Sequence, residues 1–165
     1  MQWWMALKQN LILKIKKLKI MKPFIFSAIA IFFLSFTIPN TSTIDLTVEV
    51  HQLRNNKGIV QFTLYNKEGS IPDENFKNYY KIGKTTIKGN AAQFVFKNLP
   101  KGVYAVNILH DEDENGKIDK GFMLPEEGIG FSNYTKIGLG NKPNFSKASI
   151  ELTADKRIAV KVIYF

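Results

Sequence analysis

The chain has 165 residues, the size of one domain with a short targeting segment and too short for two ordinary domains. Its formal net charge is +9, but six of its 23 basic residues lie in residues 1–43, where there is no Asp or Glu, which leaves 17 basic against 14 acidic residues elsewhere. Because basic and acidic residues nearly balance there, and because the chain has only two arginines, we do not expect a nucleic-acid partner. The absence of cysteine excludes disulfides, thiolate metal sites and cysteine nucleophiles.

Residues 1–43 have the order of a secretion signal. Lysines precede an uncharged apolar run at residues 23–38, and the small polar residues Thr41, Ser42 and Thr43 follow it. This order is typical of a signal peptide, and the run is shorter than the roughly 20 residues that span a bilayer as a helix. We therefore expect a signal peptide that is cleaved within residues 37–43, and an exported mature protein.

Two alternatives remain open for this segment. Met21 followed by Lys22 is an ordinary signal-peptide start, so translation from Met21 is the first alternative. The second is an uncleaved N-terminal anchor, in which the apolar residues of 11–20 lengthen the helix. In either case the chain would meet the membrane only through its signal or anchor segment.

From Ile44 onward the sequence indicates short β-strands. Apolar and polar residues alternate over 44–50 and again over 60–65, with a turn at 54–58 between them, which predicts a hairpin. Further strands are predicted at 85–88, 91–97, 103–109, 146–152 and 157–164. Residues 71–81 are irregular, with a short helical turn. Seven short strands without a long helical period predict an all-β domain over 44–165, an antiparallel seven-stranded β-sandwich after the signal helix.

Shortly after the predicted strand 103–109 the chain has an acidic loop, Asp111 to Asp119, with the spacing of calcium ligands. Asp111, Asp113 and Asn115 stand at positions 1, 3 and 5 of an Asp-x-Asp-x-Asn-Gly pattern. Oxygen ligands at alternate positions converge only where the backbone turns sharply, and glycine at position 6 permits that turn. Five acidic groups within nine residues also repel one another unless a cation or solvent screens them. We predict a Ca²⁺ site with these candidate ligands: Asp111, Asp113, Asn115, the Lys117 carbonyl, Asp119, and Glu126 or Glu127.

The loop is not an EF-hand, because Phe122 stands where that site carries a bidentate Glu and no amphipathic helices are predicted to flank the loop. The alternative to a metal site is that Asp and Asn simply favour turns and solvated loops. The glycine-rich stretch 128–134 lacks Gly-Lys-Ser/Thr and is predicted to follow no strand, which excludes a phosphate-binding loop. His110 is expected to form hydrogen bonds rather than to bind the metal, since Ca²⁺ prefers oxygen.

Four short segments of the sequence together carry a resemblance to a known family. They are Leu99-Pro100-x-Gly102-x-Tyr104, His110-Asp111 leading to Asn115-Gly116-Lys117-Ile118-Asp119, Pro125-x-Glu127-Gly128, and Gly130-Phe131-Ser132-Asn133. Over roughly residues 46–163 the chain resembles the bacterial domain-of-unknown-function family DUF2141. The stretch from Phe96 to Tyr104 also resembles a strand–turn–strand of transthyretin-like and carboxypeptidase-regulatory-like sandwiches. The resemblance implies a periplasmic, cell-surface or secreted transthyretin-like or Ig-like sandwich without an assigned activity.

The first functional hypothesis is a binding or structural module of the bacterial cell envelope, with a Ca²⁺-stabilised loop and an envelope protein or a glycan as partner. Aromatic side chains stack on sugars and apolar groups. The candidate ligand-binding residues are Tyr104, Phe131, Asn133 and Tyr134, with Phe122 and Phe145 as further aromatic candidates. Packing in the core is the alternative for each aromatic residue.

Two other hypotheses remain. A hydrolase would use Asp111 with Glu126 or Glu127 as an acid–base pair across a glycosidic bond. Carboxylates crowded in one hydrophilic loop favour metal binding or solvation over the raised pKa that such chemistry needs, so we do not expect an enzyme. An accessory subunit of an envelope complex would donate its terminal strand, residues 158–165, to a partner sheet.

Overall fold

The computed structural model describes residues 3–15, 42–119, 121, 124–138 and 140–165. The chain divides into two compact units, Met1–Asn40 and Thr41–Phe165. In the first unit, residues 3–15 are helical and exposed. The predicted apolar run at 23–38 lies outside the described residues, and among the described helices none is long and apolar enough to cross a membrane.

The second unit is mostly β-structure, arranged in two sheets. Its strands are β1 (Ile44–Val50), β2 (Ile59–Tyr65), β3 (Lys81–Thr86), β4 (Ala92–Leu99), β5 (Gly102–Asp111), β6 (Gly128–Phe131), β7 (Ser149–Leu152) and β8 (Lys156–Ala159), and a short helix spans Phe145–Ala148. One sheet has the order β4-β1-β8, and the other has the order β3-β2-β5-β6. Strand β7 also pairs with β5, so β6 and β7 follow one another along the same edge of β5. Strand β5 is therefore the centre of the larger sheet.

A first apolar cluster contains residues from both sheets. In β1 the buried positions alternate with half-buried ones, as the sequence predicted for this strand. Val48 of β1, Phe62 of β2 and Ile108 of β5 are all fully buried in this cluster. The two sheets therefore share one core, and the alternating side chains of their facing strands fill it.

A second apolar cluster covers the opposite face of the larger sheet. It includes Tyr65 and Leu109 from the sheet, and Phe145 from the short helix. The alternation over β2 gives this strand a polar face, yet Gln61 and Thr63 on that face are 1% and 0% exposed. They are buried because loop residues and the short helix form a layer over the second face.

The predicted hairpin of the first two strands is also wrong. Strand β1 pairs with β4 and β8, whereas β2 pairs with β3 and β5, so the chain crosses between sheets after Val50. Leu53 lies in this crossover, is 3% exposed and belongs to the first cluster, which explains why the segment turns inward. The β1–β8 pair is parallel, so the predicted purely antiparallel arrangement is wrong as well. Alternation shows which face of a strand is apolar, but it does not identify the neighbouring strand.

The described residues contain eight strands rather than seven, and β6 is the strand that the sequence did not predict. It lies in the glycine-rich stretch and pairs antiparallel with β5, with all four of its residues buried. Ile129 also bridges to Ile163 near the C-terminus. A Cβ on Gly130 would lie 2.5 Å from the Lys161 carbonyl oxygen, so glycine is what permits the C-terminal segment to approach β6. The glycines that suggested a loop therefore serve a close backbone contact.

Other boundaries differ locally from the sequence predictions. The predicted strand 146–152 begins as a helix, because the Asn144 side chain accepts a hydrogen bond from the Lys147 N–H and caps it. In place of the predicted helical turn within 71–81 there is one hydrogen-bonded turn, in which the Phe76 N–H donates to the Asp73 carbonyl oxygen, with bends after it. The Asp73 carboxylate accepts bonds from the backbone N–H groups of Lys77 and Asn78. These differences arise from side-chain bonds to the backbone.

Replacing Gly130 with Ala tests the close contact behind β6. We expect Gly130→Ala to lower the free energy of unfolding by about 1–3 kcal/mol, because the new methyl group would overlap a backbone oxygen that cannot rotate away. Urea denaturation of the purified protein measures the change. Gly140→Ala is the matched control, since a Cβ there meets no heavy atom within 4 Å. Equal stability of the two variants would contradict the predicted contact.

Candidate metal centre at the end of strand β5

The acidic loop begins at a tightly packed point of the larger sheet. Asp111 is the last residue of β5 and lies opposite Ile59, the first residue of β2. Gly58 packs so closely on this point that a Cβ there would lie 2.0 Å from the Asp111 carbonyl oxygen. The Asp111 side chain is 0% exposed as a result. The first predicted ligand is therefore held in the interior by the strand pair.

Three carboxylates converge at this position. Asp111, Asp113 and Glu127 each offer an oxygen, and these oxygens lie within 4.8 Å of one another. Glu127 immediately precedes β6, and the pairing of Gly128 with His110 brings it beside the end of β5. Of the two glutamates that the sequence left open, Glu127 joins this carboxylate group. The group consists of one exposed and two buried side chains.

Backbone N–H groups orient Glu127 within the carboxylate group. Its Oε1 accepts a hydrogen bond of 2.8 Å from the Glu112 N–H, and its Oε2 accepts one of 3.4 Å from the Asp119 N–H. The side chain thus ties the first and last parts of the acidic loop together. This explains how a carboxylate that is 4% exposed keeps polar partners.

The two carboxylate oxygens of Asp111 have different surroundings. Oδ2 accepts a hydrogen bond of 2.9 Å from the Gly116 N–H and lies 3.7 Å from Lys84 Nζ. Oδ1 is buried, and no described residue donates a hydrogen bond to it. A buried charged oxygen without a donor costs more than the roughly 1–3 kcal/mol of a neutral unsatisfied group. A cation bound between the carboxylates would satisfy Oδ1.

The protonation equilibria of the carboxylate group reflect its crowding. Burial raises the pKa of Asp111, although the Gly116 N–H and the Lys84 ammonium act to lower it. Burial likewise raises the pKa of Glu127, against two backbone hydrogen bonds that lower it. The backbone N–H of Asn115 lowers the pKa of the exposed Asp113. A divalent cation would favour the ionised form of all three groups.

Asn115 and Asp119 lie beside the carboxylate group. The Asn115 amide nitrogen donates hydrogen bonds of 2.8 Å to Asp113 Oδ2 and of 3.1 and 3.0 Å to the two oxygens of Asp119. Its carbonyl oxygen accepts a 2.7 Å bond from the Lys117 N–H. Gly116 at position 6 has φ +73°, the left-handed conformation that the pattern requires. The loop therefore turns as predicted, with the Asn115 nitrogen rather than its oxygen facing the carboxylates.

Glu112 points away from the carboxylate group. Arg54 Nε donates a hydrogen bond to Glu112 Oε1, and Asn55 Nδ2 donates one of 3.1 Å to Oε2. Partial burial acts to raise the pKa of Glu112, but these hydrogen bonds outweigh it and hold the pKa below its usual range. The sequence contained no signal for this pairing, because the two partners lie more than fifty positions before Glu112.

His110 is a fully hydrogen-bonded interior residue. Its Nε2 lies 3.0 Å from the Lys57 carbonyl oxygen, which only accepts, so Nε2 carries the hydrogen. Its Nδ1 then accepts a 2.7 Å bond from the Tyr164 hydroxyl, which itself accepts a bond from the Arg54 N–H. Both ring nitrogens are thus occupied by protein partners. Sequence reasoning did not identify Tyr164 as part of this network.

The predicted ligand-surface residues are not brought to one surface. Tyr104 is 3% exposed and lies in the first cluster, with its hydroxyl bonded to the Pro100 carbonyl oxygen at 2.8 Å. Phe131, Tyr134 and Phe145 are buried in the second cluster. Asn133 is exposed, and its amide donates a 2.7 Å bond to the Ser149 carbonyl oxygen. Phe122, the remaining aromatic candidate, lies outside the described residues.

Tyr164→Phe tests the network beside the acidic loop. Removing the hydroxyl leaves buried His110 Nδ1 without its donor, so we expect the free energy of unfolding to fall by about 1–3 kcal/mol. Chemical denaturation at neutral pH measures the loss. Tyr79→Phe is the control, because Tyr79 is 42% exposed and its hydroxyl bonds to no described residue. A loss no larger in Tyr164→Phe than in Tyr79→Phe would argue against the assigned network.

Comparison with known proteins identifies the family of this chain. No curated protein and no solved structure matches this chain. The profile of one family, described as "Uncharacterized protein conserved in bacteria (DUF2141)", matches residues 48–160. This match runs from β1 to the residue after β8 and includes the whole acidic loop. The chain therefore belongs to the DUF2141 family of uncharacterized proteins conserved in bacteria.

Proposed function

We propose that this protein is a non-enzymatic binding or structural module of the bacterial cell envelope, stabilised by Ca²⁺ bound in its acidic loop. The observation that carries the proposal is Asp111 Oδ1, a buried carboxylate oxygen to which no described residue donates a hydrogen bond. The Asp111 carboxylate offers an oxygen that lies within 4.8 Å of oxygens from two further carboxylates, Asp113 and Glu127. A bound cation satisfies this oxygen and removes the mutual repulsion of the group.

The donor set favours Ca²⁺ over other common cations. The convergent group consists entirely of carboxylate oxygens, which are hard ligands, and the described residues around it offer no thiolate or free imidazole. Ca²⁺ accepts six to eight oxygens in flexible geometry, whereas Mg²⁺ demands a near-ideal octahedron. Asp111, Asp113 and Glu127 are the proposed ligands in place. Asp119, the Lys117 carbonyl and, after rotation of its amide, Asn115 are the further oxygens available from the loop.

The site's position supports a structural role for the cation. Asp111 ends β5 and Glu127 precedes β6. One ion bound between them would therefore join the end of β5 to the start of β6 and hold the segment that connects the two strands. A hydrolase would need these two carboxylates to reach a substrate, but they are 0% and 4% exposed. Their burial supports ion binding rather than catalysis on a glycan.

The sandwich type is also part of the proposal. The two sheets share the first apolar cluster, as the inner faces of a β-sandwich do. The Tyr104 hydroxyl donates to the carbonyl of Pro100, four residues upstream near the start of β5. Such a bond is similar to the tyrosine corner of Ig-like sandwiches. We therefore assign the domain to the transthyretin-like or Ig-like sandwiches. The partner that we propose for it is an envelope protein or a glycan.

Calcium binding is tested by thermal and urea unfolding of the purified protein in EDTA and in millimolar Ca²⁺. A ligand that binds only the native state stabilises it by about 2.7 kcal/mol at 100 times its Kd. We expect Asp111→Asn to abolish this Ca²⁺-dependent gain while leaving stability in EDTA equal or higher, because it removes a buried, crowded charge.

Glu68→Gln is the matched control for Asp111→Asn. Glu68 is exposed and follows the end of β2 that pairs with Ala105, whereas the acidic loop lies at the Asp111 end. We expect this variant to keep the full gain from Ca²⁺. Absence of any shift with Ca²⁺ in the unaltered protein, or an equal shift in Asp111→Asn, would refute the proposed site.

Export is tested separately, by expressing the full chain in a bacterium and fractionating the cells. The basic segment, apolar run and small polar residues of 1–43 support a cleaved signal peptide. We expect the mature protein outside the cytoplasm, with its first residue within 37–43 or directly after it, as measured by intact mass and N-terminal sequencing. Recovery of the uncleaved chain in the membrane fraction would instead establish the N-terminal anchor.

A further inference from the structure

A polar side chain lies within the apolar second face of the larger sheet. Asn107 of β5 is 2% exposed and pairs with Thr63 on one side and Phe131 on the other. Its amide nitrogen donates a 3.1 Å bond to the Gly130 carbonyl oxygen and lies 3.5 Å from the Ile108 carbonyl oxygen. These two acceptors identify the nitrogen, so the other atom is the carbonyl oxygen.

No described residue donates a hydrogen bond to the carbonyl oxygen of Asn107. An amide oxygen in a protein interior ordinarily has a partner. Asn107 also lines a cavity above the sheet. An acceptor in this position is suited to bind a donor group that enters the cavity.

The cavity has a volume of about 330 Å³. This is at the small end of the range for ligand pockets and holds about ten non-hydrogen atoms, at about 30 Å³ per water-sized group. Most of its apolar wall residues come from three parts of the chain: the acidic loop and the residues after it, strand β6, and the segment after β6; Pro72 and Phe165 add to them. Examples are Ile118 and Leu124, Ile129 and Phe131, and Ile137 and Pro143.

The charged residues at the cavity do not offer a buried counter-charge. Asp73 uses its carboxylate for the backbone N–H groups of Lys77 and Asn78 and for the Tyr65 hydroxyl. Glu74 and Lys142 also line the cavity, and both are exposed rather than buried. A charged ligand head placed at the cavity floor would therefore lose its hydration without gaining an ion pair. The chemistry of the site favours an uncharged molecule.

We propose that this cavity binds a small, uncharged, largely apolar molecule of about ten non-hydrogen atoms through one donated hydrogen bond to the Asn107 carbonyl oxygen. The apolar walls provide the affinity, since burying apolar surface contributes about 25 cal/mol per Å². Asn107 provides orientation and selects molecules that carry a hydroxyl or N–H group. None of the three converging carboxylates lines the cavity, so the proposal does not rest on the Ca²⁺ site.

The probe for this site is 4-propylphenol, which has ten non-hydrogen atoms and a single donor. Its methyl ether, 4-propylanisole, has nearly the same shape but lacks the donor. We expect titration of the ¹⁵N-labelled protein with 4-propylphenol to give saturable NMR shifts at the Asn107 side-chain amide and in β6. The ether is expected to bind about three- to tenfold more weakly, the effect of one hydrogen bond of ordinary strength.

Two matched variants locate the binding. Ile137→Trp fills the cavity from a half-buried wall position and is expected to abolish the saturable shifts. Ile82→Trp places the same side chain on β3, at a 37% exposed position outside the cavity lining, and is expected to leave them unchanged. Asn107→Leu is expected to bring the affinities of the phenol and the ether within twofold of each other. The Ile137→Trp and Ile82→Trp pair decides the location even if Asn107→Leu does not fold.

Three results would overturn the proposal. The first is no saturable shift up to the solubility limit of 4-propylphenol, which would mean a cavity that holds water only. The second is equal binding of the phenol and the ether by the unaltered protein. The third is equal loss of binding in Ile137→Trp and Ile82→Trp, which would place the probe elsewhere on the surface.

Discussion

The pairing of β6 with β5 is the contact on which the candidate site depends. It brings Glu127 next to Asp111 across a long loop, and it closes that loop on the edge of the larger sheet. Glycine makes the pairing possible, since a side chain at Gly128 or Gly130 would collide with the C-terminal segment packed behind β6. Without this strand Glu127 would not be held beside Asp111 and Asp113.

The larger sheet has a different role on each of its two faces. One face packs against the smaller sheet in the first cluster, whose buried residues are almost all apolar. The other face lies under loops and the short helix, and it carries Gln61, Thr63 and Asn107 among apolar neighbours. Polar groups are expensive to bury without partners, so a sheet face that retains several of them under a layer of loops is where a ligand site is expected.

The acidic loop shows how far a local pattern predicts a site. The spacing of Asp111 and Asp113 and the left-handed turn at Gly116 were readable, because both depend on residues within one short segment. The inclusion of Glu127 rather than Glu126 was left open, since it depends on the register between β5 and β6. Arg54, which turns Glu112 away from the carboxylate group, could not be predicted at all from its distant position in the sequence.

The sequence by itself determined the family, the β-class of the domain, the positions of most turns and the apolar face of β1. These features rest on neighbouring residues and on short motifs. The tertiary structure alone decided which strands pair, that β1 and β8 run parallel, that β6 exists, and that the polar face of β2 is buried. The physical reason is that these features require segments distant in the chain to meet, which happens only when the two apolar clusters form.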